Sequence, residues 1–331
     1  MSHADPNHWT ILRLLKAKPG GYVSGTFLAS QLGLSRTGIW KHIQNLRGLG
    51  YEITSHPKEG YRLEALPDLL MPEEVILNLN TSWLGHSYHY FKEIGSTNDQ
   101  ALLLASKGAP HGTVVVAETQ TAGKGRLARS WESPSLHGIY FSTLLRTAIP
   151  TQEAPQCNLT AALALARVLS RNYGLKVAIK WPNDVLIEGK KVSGILTEMQ
   201  SDQDRTRFLV LGMGINVNQQ PQDFSASFRY PPTSVAVEVG QPVMRQTLFI
   251  RLLREMETLM DIFLSQKFSQ LLEELESYSH VHGRNVTVHL PQGDVRGKVT
   301  GFTREGALKL QTSDGKESII WAGDVTRMEG N

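Results

Sequence analysis

The chain has 331 residues, a net charge of +3, 40% hydrophobic and 20% charged residues, a composition typical of a globular protein of two or three domains. No apolar run reaches the roughly 20 residues of a membrane span, and no apolar signal segment begins the chain, so we expect a cytoplasmic protein without membrane contact. The single cysteine, Cys157, excludes an internal disulfide and lies in an apolar helical stretch, which favours a buried, unreactive thiol.

Charge is distributed unevenly along the chain. Residues 1–63 carry eight lysines and arginines against three acids, a net charge of +5, whereas the remainder carries 26 against 28, a net charge of −2. A small basic unit on a nearly neutral body suggests a module that binds a polyanion. A solvated basic face without a partner is the alternative, and charge alone does not separate the two.

The N-terminal segment predicts a helix-turn-helix from Gly21 to His42. A first amphipathic helix ends at Pro19-Gly20-Gly21, and Gly33 lies in the turn between a helix capped by Ser24 and a helix capped by Ser35. We expect the last of these helices to present a polar face to phosphates and base edges in the major groove of DNA. The residues of that face are Ser35, Arg36, Thr37, Trp40, Lys41 and Gln44.

A two-stranded wing is predicted directly after the third helix. Polar and apolar residues alternate from Tyr51 to Leu63, with a turn at Lys58–Gly60. The segment as a whole resembles winged helix-turn-helix regulators, some of which bind protein rather than DNA.

The central region follows a short proline-containing linker at residues 65–68. Strands and helices alternate there with short glycine turns, which predicts an α/β or α+β layered core. An antiparallel hairpin within it disfavours a doubly wound parallel sheet. The predicted strands are residues 89–94, 113–118, 138–145, 177–180, 185–187, 194–199 and 208–215, and the predicted helices are residues 72–79, 97–106 and 159–172.

Two clusters in this region carry the residue types of an anion-binding site. The first is the segment Gly123-Lys124-Gly125-Arg126-Leu127-Ala128-Arg129-Ser130-Trp131, whose glycines let backbone amides approach a ligand beside three cations. The second is Lys180-Trp181-Pro182-Asn183-Asp184, followed by Lys191. A basic surface loop is the alternative for the first cluster. Neither a Walker A spacing nor a dinucleotide fingerprint is present, so we exclude a P-loop and a Rossmann nicotinamide site.

Together, these clusters resemble the biotin–protein ligase family. Three further segments match it in order: Glu93-Ile94-Gly95-Ser96-Thr97-Asn98, Ser193-Gly194-Ile195-Leu196-Thr197-Glu198 and Gly212-Met213-Gly214-Ile215-Asn216-Val217-Asn218. The approach to the glycine-rich loop, residues 117–123, matches as well. The resemblance covers most of the chain and implies a central domain with a mixed sheet of the class II synthetase-like kind.

By this resemblance, ATP and Mg²⁺ are needed to activate biotin, and Lys191 and Arg126 are the catalytic residues. Asp184 is the residue implied to serve Mg²⁺. The residues implied to bind biotin are Ser96, Thr97, Asn98, Gln120, Gly123, Lys124, Gly125, Arg126, Lys191 and Gly194. The residues implied to bind the nucleotide are Arg126, Arg129, Lys180, Asn183, Asp184 and Asn216.

The loop departs from the family at three positions. Many relatives have arginine where Lys124 stands, and lysine lacks the bidentate fork of arginine. Relatives often have arginine and glycine at the positions of Leu127 and Ala128, and alanine enters positive φ less readily than glycine. We therefore expect a stiffer or differently shaped loop.

The C-terminal region consists of a long amphipathic helical stretch, residues 248–275, and then short strands at residues 285–289, 295–303, 307–312 and 317–321. This part resembles the small SH3-like barrel of the ligases. The expected domains are therefore a winged helix-turn-helix at 1–64, a ligase domain at 70–278 and an SH3-like domain at 280–331. Scattered histidines lack the spacing of a structural metal site.

The combination implies two functions: transfer of biotin, through biotinyl-AMP, to a lysine of the biotin carboxyl carrier subunit of acetyl-CoA carboxylase, and repression of biotin synthesis genes. In the second, biotinyl-AMP is the corepressor, and a homodimer formed on binding it reads two half-sites of operator DNA. A sheet edge near Val192–Met199 is implied to pair in that dimer. Two alternatives remain open: a ligand-sensing regulator with an inactive ligase domain, and a lipoate–protein ligase.

Overall fold

A computed structural model describes residues 6–147, 149–202, 205–225, 230–265 and 267–327. The chain forms two compact units, Met1–Leu77 and Asn78–Asn331. Among the described residues, no helix combines the length and apolar character needed to cross a membrane.

The described part of the first unit consists of three helices, a β-hairpin and a short fourth helix. Its elements are α1 (Pro6–Lys16), α2 (Gly25–Leu32), α3 (Arg36–Gly48), β1 (Glu52–His56), β2 (Gly60–Ala65) and α4 (Pro72–Val75).

The predicted helix-turn-helix is confirmed in this unit. The Ser35 hydroxyl accepts the Gly38 N–H at 3.1 Å and caps α3, and Gly33 ends α2 at a φ of +64°. Ile39 and Ile43 of α3 are fully buried, as the helical spacing predicts. The hairpin pairs His56 with Gly60 across the predicted turn.

The segment after the hairpin also packs into the first unit. Glu74 of α4 is buried, and its carboxylate accepts from Lys16 Nζ at 2.8 Å and from the Tyr51 hydroxyl at 2.7 Å. Burial raises the pKa of the neighbouring Glu73 carboxyl. The first compact unit therefore continues beyond the hairpin.

The second unit contains a large sheet with helices. Its elements before the C-terminal strands are β3 (Tyr88–Ile94), α5 (Thr97–Ser106), β4 (Val114–Gln120), β5 (Gly138–Leu145), α6 (Ala154–Tyr173), β6 (Val177–Lys180), β7 (Asp184–Ile187), β8 (Lys190–Asp202), β9 (Arg205–Asn216), α7 (Val235–Val239), α8 (Arg245–Leu264) and α9 (Leu272–Ser277).

Within the described residues, the large sheet has seven strands in the order β3-β4-β5-β9-β8-β7-β6. Strands β3 and β4 are parallel and joined through α5, whereas every other neighbouring pair is antiparallel. The β7–β8 hairpin confirms the argument against a doubly wound parallel sheet.

Helices cover both faces of this sheet. Leu144 of β5 packs in one apolar cluster with Ala101 and Leu104 of α5. Phe141 of the same strand instead contacts Phe249 of α8, with ring centroids 5.0 Å apart. Since odd and even residues of a strand point to opposite faces, α5 lies on one face and α8 on the other, where it packs against α6. The core is therefore layered, as predicted.

The C-terminal strands form a second, antiparallel sheet. Its described strands are β10 (Asn285–Leu290), β11 (Gly293–Phe302), β12 (Leu308–Gln311), β13 (Glu317–Ile320) and β14 (Asp324–Arg327), in the order β13-β12-β11-β10-β14. Four of these correspond to predicted strands, whereas β14 was not predicted because it is short and mostly polar. The predicted helical stretch over 248–275 consists of two helices, since α8 ends at Leu264 and α9 begins at Leu272.

Candidate active site

A cleft of about 480 Å³ opens where β4, β8 and β9 meet the N-terminus of α5 and the β4–β5 loop (residues 121–137). Most of the predicted site residues line it, together with residues from the glycine-rich strand β9. The lining residues are Ser96, Thr97, Asn98, Gln120, Lys124, Gly125, Arg126, Trp131, Asn183, Lys191, Gly194, Ile195, Leu196, Gly212, Met213 and Gly214.

One side of the cleft consists of uncharged polar groups, and we call Thr97, Asn98, Gln120 and Ser142 the neutral side. The Gln120 side-chain oxygen accepts from the Thr97 N–H at 2.9 Å and from its hydroxyl at 3.1 Å. The Gln120 amide nitrogen donates to Ser133 Oγ at 3.0 Å. These bonds fix the amide orientation of Gln120 at the end of β4.

Asn98 is held from both ends of its amide. Its oxygen accepts from Ser142 Oγ at 2.6 Å, and its nitrogen donates to Glu198 Oε2 at 2.7 Å. A Cβ at Gly212 would lie 2.1 Å from the Asn98 oxygen, so this packing requires glycine in β9. Ser96 occupies the N-cap position of α5, as predicted, but its hydroxyl makes no capping bond.

The floor of the cleft is a bare stretch of sheet. Gly194 of β8 and Gly214 of β9 are cross-strand partners, and the Trp131 indole packs over both. A Cβ at Gly214 would lie 2.4 Å from Trp131 Cε2, and one at Gly194 would lie 3.0 Å from Cζ3. Glycine is therefore needed at position 214 for the indole to lie directly on the strands.

The other side of the cleft carries Arg126 and Lys191, together with Asn183 and Asp184 that bind them, and we call these four residues the charged side. Lys191 Nζ lies 2.7 Å from Asp184 Oδ1 and 5.5 Å from the centroid of the Trp131 ring. The Asp184 contact is an ion pair, although its angles do not satisfy those of a hydrogen bond. Arg126 donates to Asn183 Oδ1 at 3.1 Å, and burial lowers the pKa of its guanidinium, which nonetheless stays protonated at neutral pH.

The C-terminal sheet contributes an acid beside this cluster. Asp324 of β14 lies 3.1 Å from Arg129 NH2 and 3.9 Å from the ammonium of the buried Lys180. That ammonium also lies 3.7 Å from the centroid of the Tyr230 ring. Two of the predicted nucleotide ligands thus share a carboxylate that sequence reasoning missed, because β14 has no recognisable motif.

Lys124 is directed away from the charged side. Its ammonium donates to Asp99 of α5, a hydrogen bond that raises the pKa of Lys124. The lysine thus links the β4–β5 loop to the helix that carries Thr97 and Asn98.

The tip of the loop adopts a left-handed conformation. Leu127 and Ala128 both have a φ of +56°, which costs roughly 1 kcal/mol or more for each residue with a Cβ. Ala128 therefore adopts a positive φ, the region that favours glycine, although it carries a Cβ.

Five predicted residues do not line the cleft. Two of them, Arg129 and Lys180, lie beside Asp324, and the other three are Gly123, Asp184 and Asn216. Gly123 precedes the lining part of the loop, and its carbonyl accepts from the Trp131 N–H at 2.9 Å. Asp184 is reached through Lys191. Asn216 is buried, and its amide donates to the Thr233 carbonyl at 3.0 Å, so the structure does not bring it to the cleft.

The predicted DNA-binding face is exposed on α3 in the first unit. Arg36, Thr37 and Lys41 are exposed, and the Trp40 side chain is 52% accessible. Gln44 is half-buried, and its amide oxygen accepts from Trp40 Nε1 at 3.2 Å in the orientation that satisfies both groups. Gln44 therefore has an intrahelical partner that the spacing alone did not indicate.

Three known domains match the chain in succession. Residues 9–62 match a helix-turn-helix domain, residues 90–216 match the biotin/lipoate A/B protein ligase family, and residues 281–327 match the biotin protein ligase C-terminal domain.

Similar proteins extend over nearly the whole chain. The bifunctional ligase/repressor BirA of Bacillus subtilis is 38% identical over 94% of this chain and 96% of its own length. The bifunctional ligase/repressor BirA of Escherichia coli is 31% identical over 92% of both chains. The biotin protein ligase of Aquifex aeolicus in complex with biotin and ATP is 29% identical, with a TM-score of 0.63 over 73% of this chain and 100% of that chain. The chain therefore belongs to the biotin/lipoate A/B protein ligase family and joins a ligase domain to a helix-turn-helix domain.

Proposed function

We propose that the protein activates biotin with ATP to biotinyl-AMP and transfers the biotinyl group to a lysine of a biotin carboxyl carrier protein. The observation that carries this proposal is a single cleft that combines a hydrogen-bonded neutral side with a cationic charged side. A neutral bicyclic urea suits the first, and a carboxylate with a triphosphate suits the second. The proposal also agrees with the biotin and ATP that the Aquifex aeolicus relative binds.

We assign the biotin ring to the neutral side. Thr97, Asn98 and Gln120 combine donors and acceptors that are already oriented by the protein, so little ordering remains when a ligand binds. The glycine floor and Trp131 would enclose the apolar valeryl chain. Ser96, Gly123, Gly125 and Gly194 contribute backbone and small side chains around it.

We assign the reacting groups to the charged side. The biotin carboxylate attacks the α-phosphorus, a new P–O bond forms, and the bond to pyrophosphate breaks, so negative charge accumulates between carboxylate and phosphate. Lys191 and Arg126 neutralise that charge in a partly buried site, where electrostatic stabilisation is strongest. In the second step the carrier lysine amine attacks the acyl carbon and AMP leaves.

The remaining cations would hold the nucleotide. Lys180 and Arg129 both lie beside the carboxylate of Asp324. The ammonium of Lys180 and the guanidinium of Arg129 therefore face one anion already, before any phosphate binds. Asn183 keeps Arg126 in place. Asn216, which lies behind the cleft, would act by supporting β9.

The residues of the cleft suit Mg²⁺ only if phosphate oxygens of the substrate supply further ligands. No group of three or more histidine, cysteine or acidic residues that could hold a metal is present in the described part of the chain. Mg²⁺ usually takes one or two carboxylates with phosphate oxygens and water, and Asp184 supplies one carboxylate. When bound, the ion would neutralise charge on the departing pyrophosphate.

The domain assignment extends the same proposal. We propose that the central sheet is of the class II synthetase-like kind and that the C-terminal sheet is an SH3-like barrel. The proposed boundaries are near 1–64, 70–278 and 280–331, although the segment around α4 belongs to the first compact unit, which ends at Leu77. The antiparallel centre of the large sheet and the five short C-terminal strands support these assignments. The working compartment is taken to be the cytoplasm.

We also propose that the first unit represses biotin synthesis genes, with biotinyl-AMP as corepressor. Ser35, Arg36, Thr37, Trp40, Lys41 and Gln44 would contact the operator. The corepressor would favour a homodimer, which places two such helices on adjacent half-sites. Strand β8 supports this, since β7 pairs with it up to Gly194 and Asn183 bonds to Ile195, whereas none of the described strands pairs with that edge from Leu196 to Met199.

Transfer of labelled biotin to a carrier domain, with ATP and Mg²⁺, tests the ligase. The expected result is labelling that excess unlabelled biotin suppresses and excess lipoate does not. Suppression by lipoate would favour the lipoate–protein ligase, whereas no labelling by folded protein would favour the regulator with an inactive ligase domain.

Operator binding needs a separate measurement. Sedimentation with biotin and ATP should show a doubled mass, and binding to the promoter DNA of the biotin genes should increase with it. An unchanged mass would count against the corepressor-dependent dimer. Trp40→Ala should weaken DNA binding without changing biotin transfer.

A further inference from the structure

Strands β4 and β5 separate just where the cleft begins. Their antiparallel ladder ends at the pair Ala117 and Tyr140, beyond which β4 continues along β3 and β5 continues along β9. The β4–β5 loop, residues 121–137, leaves and re-enters the sheet through this fork. The fork is therefore where the position of Lys124, Gly125, Arg126 and Trp131 over the cleft is determined.

The guanidinium group of Arg245 lies between β4 and β5 where the two strands separate. Arg245, the first residue of α8, donates from one nitrogen to Glu118 Oε2 at 2.8 Å and to the Gly138 carbonyl at 2.9 Å. Glu118 and Gly138 belong to the two strands that the loop connects, and each lies just beyond the last ladder pair. One nitrogen of Arg245 therefore bonds to both stems of the loop, that is, to the end of β4 and the start of β5.

Burial makes this ion pair unusual. The Arg245 side chain is 0% exposed and that of Glu118 is 1% exposed. An arginine at the first turn of a helix is also opposed by the helix dipole, so helix stability does not explain it. A buried ion pair adds little net stability compared with well-packed apolar residues, and its clearest effect is to specify one geometry.

A second tie from β5 holds the same loop. The hydroxyl of Tyr140 donates to the Pro134 carbonyl at 3.1 Å, and burial strongly raises the pKa of that hydroxyl. Gln219 donates to the same hydroxyl at 3.3 Å. Because Tyr140 folds back over Gly138, where a Cβ would lie 2.3 Å from its hydroxyl, this tie adjoins the Arg245 contact.

We propose that Arg245 is a positioning residue that clamps both stems of the β4–β5 loop and thereby keeps the loop over the cleft. Arg245 is not among the lining residues, so its action is through the loop. By the proposed function, the clamp slows escape of biotinyl-AMP before transfer, and this part of the inference rests on that function. The clamp itself is a statement about loop order and does not depend on it.

The first measurement is trypsin cleavage of the folded protein after Lys124, Arg126 and Arg129, with fragments identified by mass. Removing only one charge breaks a buried ion pair and can unfold the protein. The test variant therefore carries both Arg245→Met and Glu118→Gln, and thermal melting confirms that it folds. Arg254→Met is the matched control, because Arg254 of the same helix donates to the Leu79 carbonyl, far from the loop in sequence.

The double variant should show about tenfold faster cleavage at the three loop sites, the factor that corresponds to about 1.4 kcal/mol. Cleavage in the native state reports the population of the open form when opening is fast. Arg245→Lys, which keeps a charged donor, should recover most of the protection, and Arg254→Met should leave loop cleavage unchanged. Wild-type cleavage rates in the double variant, or an equal increase in Arg254→Met, would overturn the clamp.

The second measurement is the release of preformed biotinyl-AMP into a chase of unlabelled biotin. Release should be about tenfold faster in the double variant and close to wild type in Arg245→Lys. If loop cleavage rises but adenylate release does not, the clamp orders the loop without retaining the intermediate, and that half of the inference fails. If the wild type forms no biotinyl-AMP, the proposed function fails, and the cleavage data still decide the clamp.

Discussion

The two sides of the cleft obtain their order in different ways. On the neutral side, Thr97, Asn98 and Gln120 are oriented by hydrogen bonds to other protein groups, including the buried Ser142 hydroxyl. On the charged side, Lys191 is held by an ion pair with Asp184 that an anionic substrate must exchange or share. The difference suggests that biotin recognition depends on preorganisation, whereas nucleotide chemistry depends on a regrouping of charges.

Loss of the Lys191 ammonium should have the largest effect, and it should affect the charged side of the cleft much more than the neutral side. Lys191→Ala removes a charge that we place beside the reacting carboxylate and phosphate, so the rate of adenylate formation should fall by roughly 10²–10³-fold. Biotin affinity should change much less, because the neutral side stays intact. Single-turnover formation of biotinyl-AMP and calorimetric titration with biotin measure the two quantities. Equal losses in both would mean that the two sides act as one site.

The next largest effect should come from adding a methyl group to the floor of the cleft. In Gly214→Ala, the new Cβ would lie 2.4 Å from the Trp131 ring, so the indole must leave the sheet. We expect biotin to bind roughly a hundredfold more weakly. Overpacking costs about 1–3 kcal/mol, and displacement of Trp131 also removes one wall of the biotin site. Gly48→Ala is the control, since Gly48 is an exposed glycine outside the cleft whose new Cβ would meet nothing within 4 Å. Similar losses in both variants would contradict the role of the floor.

A buried hydroxyl tests the neutral side alone. Ser142→Ala removes the donor to Asn98 and leaves a buried acceptor unsatisfied, which costs about 1–3 kcal/mol. Biotin should bind roughly 5- to 100-fold more weakly, with KM for ATP nearly unchanged. Thr143→Val provides the control on the same strand, because the buried Thr143 hydroxyl has no hydrogen-bond partner among the described residues. A rise in KM for ATP in Ser142→Ala would contradict the separation of the two sides.

The sequence predicted the family, the helix-turn-helix and most central strands because those features are local. Ser35 caps its helix and Ile39 and Ile43 are buried as their spacing required. Residues of both clusters line one cleft, namely Lys124, Gly125, Arg126, Trp131, Asn183 and Lys191. The partners of these residues could not be predicted in the same way. Arg245 lies more than a hundred residues from Glu118 in the chain, and only the topology brings them together.

Long-range pairing also determined where single side chains point. Lys124 was expected to bind biotin by resemblance, and in the structure it donates to Asp99 on another element. Asp324, which forms an ion pair with Arg129 at 3.1 Å, lies on strand β14, and that strand was not predicted. Residue types therefore indicated the chemistry of the cleft, but ion pairs between distant segments had to be read from the fold.

The smallest effect should appear at the tip of the β4–β5 loop, where the charged side depends on a strained turn. Ala128→Gly removes the cost of a Cβ at a φ of +56°, so the closed loop should become more stable by about 1 kcal/mol at most. Trypsin cleavage after Arg126 and Arg129 should slow by up to about fivefold, because the closed form gains population. Ala122→Gly is the matched control: Ala122 is exposed in the same loop and has no positive φ, so the same substitution there should loosen the loop. A change of the same sign in both variants would mean that glycine acts through chain flexibility alone and that the left-handed turn does not set loop order.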